Sequence, residues 1–195
     1  EKSDLDWKRL NGKSVMVTGA AGMLGSGMVD VLLYLNEHTD ITVDIYALGR
    51  TENKLKQRFA PYLEKSYFHI ITMDISAEMH MDEDVDYIIH AASNADPAMM
   101  AKYPVDTLLA NVVGINNLLD LAKRKNAERV LYVSSGEMYG QPDDTLVNGF
   151  YEGYCGSVDY ANPRSCYPSG KRAAEVLCQS YISQYDLDVV IVRPC

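Results

Sequence analysis

The chain has 195 residues, 18 Lys+Arg against 27 Asp+Glu, a formal charge of −9, and 47% hydrophobic and 23% charged residues. This is a globular composition with enough length for one domain and a real core, and an acidic balance without a Lys/Arg block argues against a nucleic-acid surface. The longest charge-free stretch, residues 14–29, falls short of the ~18 residues of a membrane-spanning helix and is broken by glycines.

Short apolar runs alternate with longer helical patterns along the chain. Glu1, Asp4 and Asp6 rule out a signal-peptide pattern at the start. The first apolar run, 14–18, leads into Gly19-Ala20-Ala21-Gly22-Met23-Leu24-Gly25. A helical pattern over 23–36 follows, with Leu24, Met28, Val31, Leu32 and Leu35 on one face. A second run at 43–48 precedes a weaker helical pattern at 51–63. Runs at 68–72 and 86–90 come next. The pattern at 104–126 opens on Pro104 and closes on Lys123-Arg124-Lys125, charges that suit the negative end of a helix dipole. After a run at 130–134, residues 140–162 are polar and glycine-containing without periodicity, and long connectors of this kind are often functional. A last helical pattern, 163–185, is followed by a run at 188–193. Strand then helix, repeated, predicts an α/β fold: a Rossmann-type doubly wound parallel sheet in three α/β/α layers. Cys155, Cys166, Cys178 and Cys195 form no CxxC pair and no Cys/His cluster, so reduced thiols and a cytoplasmic location are expected.

Three glycines at three-residue spacing between a strand and a helix have a physical use. One permits the tight turn, one lets backbone approach a pyrophosphate, and one lets the helix pack close to the strand. The helix start then offers free N–H groups to the anion. With Thr18 before it, this GxxGxxG turn resembles the short-chain dehydrogenase/reductase superfamily. More narrowly, it resembles the extended branch, the NAD-dependent epimerase/dehydratase family that acts on nucleotide sugars.

The second strand ends Tyr46-Ala47-Leu48-Gly49-Arg50, with Gly49 where an acid usually holds the ribose 2′-OH. Arg50 is either a partner for a 2′-phosphate, which leans to NADP, or a solvated surface charge; the resemblance leans to NAD. Asp74-Ile75 matches the family's adenine contact, and Asp74 also suits a helix cap. His90-Ala91-Ala92-Ser93 resembles the family's HxAA segment. His38, His69 and His80 show no ligand spacing with His90, so no metal is expected, and His90 reads as a buried, hydrogen-bonded strand residue. Asn111 lies in a segment like the family's NVxGT and reads as structural.

Tyr167 and Lys171 stand one helical turn apart on one face. An ammonium near a phenol favours phenolate, and so makes a general base from a Tyr. The segment Ser134-Ser135-Gly136-Glu137-Met138-Tyr139-Gly140 resembles the family's SS/T-x-x-x-Y-G, which implies Ser135 as the third member of a Ser/Tyr/Lys set. In sugar dehydratases and decarboxylases of the family, a Glu at the position of Glu137 moves protons after oxidation at C4. The alternative for Glu137 is a solvated loop acid. Gly136 replaces the Asp that dehydratases usually carry there. The run Asn162-Pro163-Arg164-Ser165-Cys166-Tyr167, continued by Lys171-Arg172-Ala173-Ala174-Glu175, looks more like UDP-glucuronate decarboxylases, from which Pro168-Ser169 departs.

The resemblance implies Ser135, Tyr167, Lys171 and Glu137 as catalytic. It implies Gly19, Gly22, Met23, Leu24, Gly25, Arg50, Asp74, Ile75, Ala91, Ala92, Ser93, Ser134, Tyr167 and Lys171 as contacts of NAD or NADP. A nucleotide-sugar substrate, and a homodimer through helices 104–126 and 163–185, follow from it. The function expected is transient oxidation at sugar C4 followed by dehydration or decarboxylation. A 4-epimerase or reductase of the same family and a non-catalytic NAD(P) sensor are the alternatives. Residues 1–195 read as one dinucleotide-binding domain, with the family's C-terminal substrate domain absent.

Overall fold

A computed structural model of the chain describes residues 5–93, 95–143 and 149–194. Glu1, Asp4, Cys195 and part of the 140–162 segment lie outside the described residues.

The strands are β1 (Lys13–Thr18), β2 (Val43–Gly49), β3 (Phe68–Thr72), β4 (Tyr87–His90), β5 (Arg129–Val133) and β6 (Val189–Val192). They form one sheet in the order β3-β2-β1-β4-β5-β6, and every pairing is parallel. The helices are α1 (Met23–His38), α2 (Glu52–Arg58), α3 (Pro97–Lys102), α4 (Pro104–Lys125) and α5 (Cys166–Tyr185). The strand order reverses between β1 and β4, so the crevice of a doubly wound sheet opens at their carboxyl ends. The register aligns those ends: Thr18 lies beside Leu48 on one side and His90 on the other, and His90 beside Tyr132.

Alternation along the strands builds two cores. Val15, Val17, Ile45 and Ala47 pack with Val29, Leu32 and Leu33 of α1 and Leu55 of α2. Met16, Ile88, Val130 and Tyr132 face the other way, onto Ile115, Leu118 and Leu119 of α4 and Ala174 and Cys178 of α5. Cys166 and Cys178 are buried free thiols and Cys155 is an exposed one.

Two expectations about the elements need correction, and one element was missed. The pattern over 51–63 is not one helix: α2 stops at Arg58 and a 3₁₀ turn, Ala60–Tyr62, follows. Pro61 lacks the N–H that a continuing helix requires there. The pattern at 163–185 begins as a 3₁₀ turn, Pro163–Ser165, and is helical from Cys166. Pro168 is tolerated because it falls in the first turn of α5, where N–H groups have no helical partner. The short α3 was not anticipated. Asp96 caps it, accepting from the N–H groups of Ala98 and Met99, and Pro97 opens it, but its six residues are too few to show a period.

His90 is buried at the crossover, as expected. Its Nδ1 lies 2.7 Å from Thr18 Oγ1, and its ring stacks on Tyr132. Burial holds the imidazole neutral, its pKa lowered to about 3, and the nearby Lys171 ammonium acts in the same direction. The unfolded chain takes up this proton below about pH 6.5 and the folded chain only near pH 3. The stability from His90 is therefore full above pH 6.5 and lost as pH falls toward 3. Denaturant titrations between about pH 6.5 and 5 should show a His90 component approaching about 1.4 kcal/mol per pH unit. His90→Gln should remove that component, and identical slopes for the two proteins would refute the neutral buried state.

Candidate active site

At the end of β1, Gly19 takes a left-handed φ of +69°. A Cβ there would lie 2.8 Å from the backbone N and Cα of Ala92, so the turn fits against the end of β4 only as glycine. A Cβ on Gly25 would lie 2.3 Å from the carbonyl oxygen of Gly19, so α1 crosses the turn only as glycine. Gly22 differs: its Cβ would meet only the Gly19 oxygen, at 3.1 Å, a contact that a small adjustment relieves. The protein's own packing thus demands two of the three glycines and leaves Gly22 bare beside open space.

No side chain caps α1 and no acid occupies its first turn. The first N–H closed by a helical carbonyl is that of Ser26, which donates to Gly22 at 2.8 Å. The N–H groups just before it are free for an anion. Met23 and Leu24 expose their side chains, and neither they nor Gly25 line the cleft over this turn, so these three predicted contacts are not brought to it.

A cleft of about 610 Å³ opens over this turn. Gly19, Gly22, Arg50, Asp74, Ile75, Ala91, Ala92 and Ser93 all line it. Thr51, Lys54 and Asp106 line it too and were not anticipated. The loop after β3 is pinned from α4, where Asn117 Nδ2 donates to the carbonyls of Ile75 and Ala77. Asp74 accepts from the N–H of Ser76 at 2.9 Å, the turn-capping role, while still lining the cleft. Ser93 Oγ donates to Asn111 Oδ1, and Asn111 Nδ2 to the Thr107 carbonyl, which supports the structural reading of Asn111. The cleft's glycine floor, free N–H groups and small Ala91-Ala92 wall suit a dinucleotide.

The second group gathers at the end of β5. Tyr167, Gly170, Lys171, Ala174, Glu175 and Cys178 form the buried stripe of α5. The Lys171 Nζ donates to the Val133 carbonyl at 2.9 Å and lies 4.9 Å from the centre of the Tyr132 ring and 5.7 Å from that of Tyr167. Burial lowers its pKa to about 8, against the opposing pull of the Glu175 carboxylate. Among the described residues Val133 is its one hydrogen-bond acceptor, so two of its three N–H donors are uncommitted.

Ser135 Oγ accepts from the N–H of Glu137 at 3.2 Å, which leaves its own O–H free to donate. Ser134 is turned elsewhere. Its hydroxyl donates to Glu175 Oε1 at 2.6 Å in the interior, so its side chain does not line the dinucleotide cleft. Glu137 is not a bare loop acid, because Arg164 Nη2 donates to its Oε1 at 2.9 Å. Both line a smaller cleft of about 380 Å³ with Gly140, Asn162, Ser165 and Pro168. The Pro-Arg spelling quoted above was the available signal for Arg164. Nothing local marked Arg193, which holds Glu175 through Nε at 3.0 Å and Nη2 at 2.7 Å.

Residues 15–195 match the model of the NAD dependent epimerase/dehydratase family, and the chain belongs to that family. It is 35% identical over 181 residues to UDP-glucuronic acid decarboxylase 1 of Danio rerio, covering 93% of this chain and 40% of that protein. It is 37% identical over 179 residues to UDP-glucuronic acid decarboxylase 6 of Arabidopsis thaliana, covering 92% of this chain and 49% of that protein. The structure of DesIV, a dTDP-glucose 4,6-dehydratase from Streptomyces venezuelae with NAD bound, superposes with a TM-score of 0.76 at 25% identity, over 92% of this chain and 55% of that one. The chain spans less than half the length of these two decarboxylases.

The unequal demands on the glycines give a test. Gly25→Val forces α1 off the turn and should cost about 2 kcal/mol or more in thermal denaturation. Gly22→Val should cost less than about 1 kcal/mol yet abolish dinucleotide binding by calorimetry. Unimpaired binding by folded Gly22→Val would show that nothing approaches the backbone there.

Proposed function

We propose that this chain is the dinucleotide-holding part of an enzyme that oxidises a nucleotide sugar transiently at C4 and then removes water or carbon dioxide from it. The observation that carries this reading is the Lys171 ammonium. A buried charge with no carboxylate within ion-pair distance among the described residues is expensive, and a packed apolar side chain would fill its place more cheaply. Its uncommitted donors beside the Tyr167 ring give that cost a use. Similarity to UDP-glucuronic acid decarboxylases supports decarboxylation as the second step.

When bound, the dinucleotide supplies the hydride acceptor. The phenolate form of Tyr167, stabilised by the Lys171 ammonium, takes the proton of the sugar hydroxyl at its phenolic oxygen and becomes the neutral phenol. Ser135 donates its free O–H to the same sugar oxygen. Glu137, placed by Arg164 in the adjoining cleft, moves the proton of the later step. The dimer belongs to this reading as well. α4 and α5 pack together, Gly170 against Asn111, and leave Val176 exposed on the outer side of α5, which supports pairing of these helices with those of a second copy. Among the described residues no helix is long and apolar enough to cross a membrane.

The test uses the protein as expressed from its natural gene. Tyr167→Phe should stop reduction of the nicotinamide altogether in stopped-flow absorbance. Glu137→Gln should allow one round of reduction and then slow product formation by roughly 10²–10⁴-fold, with a 4-keto sugar accumulating by mass. Normal product at a normal rate from Glu137→Gln would move the enzyme to the epimerases.

A further inference from the structure

We infer that Tyr132 is a positioning residue for the proton-transfer group: the face of its ring holds the Lys171 ammonium in place and charged beside Tyr167, and its hydroxyl takes no part. The contact has a use in catalysis only if Tyr167 and Lys171 move the proton, so the inference rests on that reading.

Lys171 meets β5 at two consecutive residues. Its Nζ donates to the Val133 carbonyl at 2.9 Å and lies 4.9 Å from the centre of the Tyr132 ring, within the reach of a cation–π contact. The ionisable groups around it offer little else. On α5, Glu175 pulls on the charge, but its two oxygens accept from Ser134 and Arg193. Cys178, also on α5, is a buried thiol whose pKa is pushed up to about 12, so it stays neutral. From β4, His90 is neutral as well, its pKa lowered to about 3. The Tyr167 ring, 5.7 Å away, belongs to the group that the ammonium serves. The Tyr132 ring is thus the nearest electron-rich surface given over to the ammonium besides one carbonyl.

That ring is held from the neighbouring strand. His90 lies beside Tyr132 in the register of β4 and β5, and the two rings stack with centres 5.7 Å apart and planes 22° apart. Thr18 Oγ1, 2.7 Å from His90 Nδ1, fixes the imidazole in turn. Tyr132 is 1% exposed, yet its hydroxyl has no hydrogen-bond partner among the described residues. An unpaired buried hydroxyl is a cost that phenylalanine would not carry. The hydroxyl therefore does not seat the residue, and the ring does. Leucine would also suit this core, which includes Ile115, Leu118 and Leu119, but it has no quadrupole to turn toward a cation.

NMR titration of the full natural protein, labelled at lysine, would decide without cofactor or substrate. Burial brings Lys171 to about 8, a range that folded protein can be titrated through, and Lys171→Arg identifies its signal. Phenylalanine in place of Tyr132, and phenylalanine analogues with one, two and three ring fluorines, drain the ring face at nearly constant shape. Tyr132→Phe should leave the Lys171 midpoint unchanged and unfold no earlier on heating. Each added fluorine should lower the midpoint, because the ammonium loses its partner. Tyr132→Leu, where it folds, should lower it furthest, by about one pH unit, or about tenfold in proton affinity. The basic limb of nicotinamide reduction, followed by stopped-flow absorbance, should step down with it, since the Tyr167 phenolate needs the charge beside it. A midpoint indifferent to fluorination, or one displaced as far by Tyr132→Phe as by three fluorines, would overturn the role of the ring. Midpoints that fall in a protein that never reduces nicotinamide would keep the contact but overturn its use in catalysis, and with it the reading of Tyr167 and Lys171.

Discussion

The buried carboxylate of Glu175 holds the second half of the molecule together. It accepts one hydrogen bond from Ser134 at the end of β5 and two from Arg193 just after β6. Arg193 in turn donates to the Tyr139 hydroxyl and the Glu152 carbonyl, and its guanidinium lies over the Tyr139 ring. One acid on α5 therefore ties together two strand ends, the turn that carries Glu137 and the segment beyond it. This fixes the rotation of α5 about its axis. Lys171 stands one turn before Glu175 and Tyr167 one turn before that, so the contact that seats Glu175 also aims both toward β5. The Glu175–Arg193 pair is costly to break from the Arg193 side, because the buried Glu175 carboxylate would be left desolvated without it. Arg172 adds a second brace, donating to the carbonyls of Met138 and Gly156. Gly140, at φ +79°, has no room for a Cβ against that guanidinium and the Ser157 carbonyl.

The two clefts are mechanically joined. Ser93 lines the dinucleotide cleft and donates to Asn111 of α4. The Asn111 side chain packs on Gly170, where a Cβ would approach to 3.1 Å. Gly170 lies between Tyr167 and Lys171 on α5. A shift of the β4 end is thus transmitted through one hydrogen bond and one close helix contact to the residues that face β5. Gly114 on α4 serves a different contact, with the loop after β3, where a Cβ would crowd the Ile75 side chain at 2.7 Å. Gly170 sets how near α5 approaches α4 at Asn111, and through that the spacing between the clefts.

The fold was legible because its signals are local. Strands buried on both faces spell near-continuous apolar runs, and helices spell a period, so every strand could be placed within a residue or two. The failures are local too. Pro61 cuts α2 short against the hydrophobic pattern, and α3 is defined by its cap and its proline rather than by a stripe. The glycine turn was readable as a turn. Which glycine answers to the protein and which to a ligand was not, because Gly19 is constrained by Ala92, far along the chain.

The candidate site was less legible, for a reason of distance along the chain. Tyr167 and Lys171 are a helical pair and visible as such. Ser134 looked like a cleft residue because its neighbours are, yet its partner is Glu175, 41 positions away. Glu137 could be read as a proton-moving acid or as a solvated loop acid, and nothing in the sequence joined it to Arg164, 27 positions on. Arg50 and Lys54 show the converse. They are four apart across the start of α2, a spacing open to inspection, but what distinguishes them from Lys56 and Arg58 is that among the described residues no carboxylate pairs with them. Sequence displays the charges a chain carries; only the folded arrangement separates those already neutralised from those still free to meet a ligand, and that difference is where the chemistry of this cleft resides.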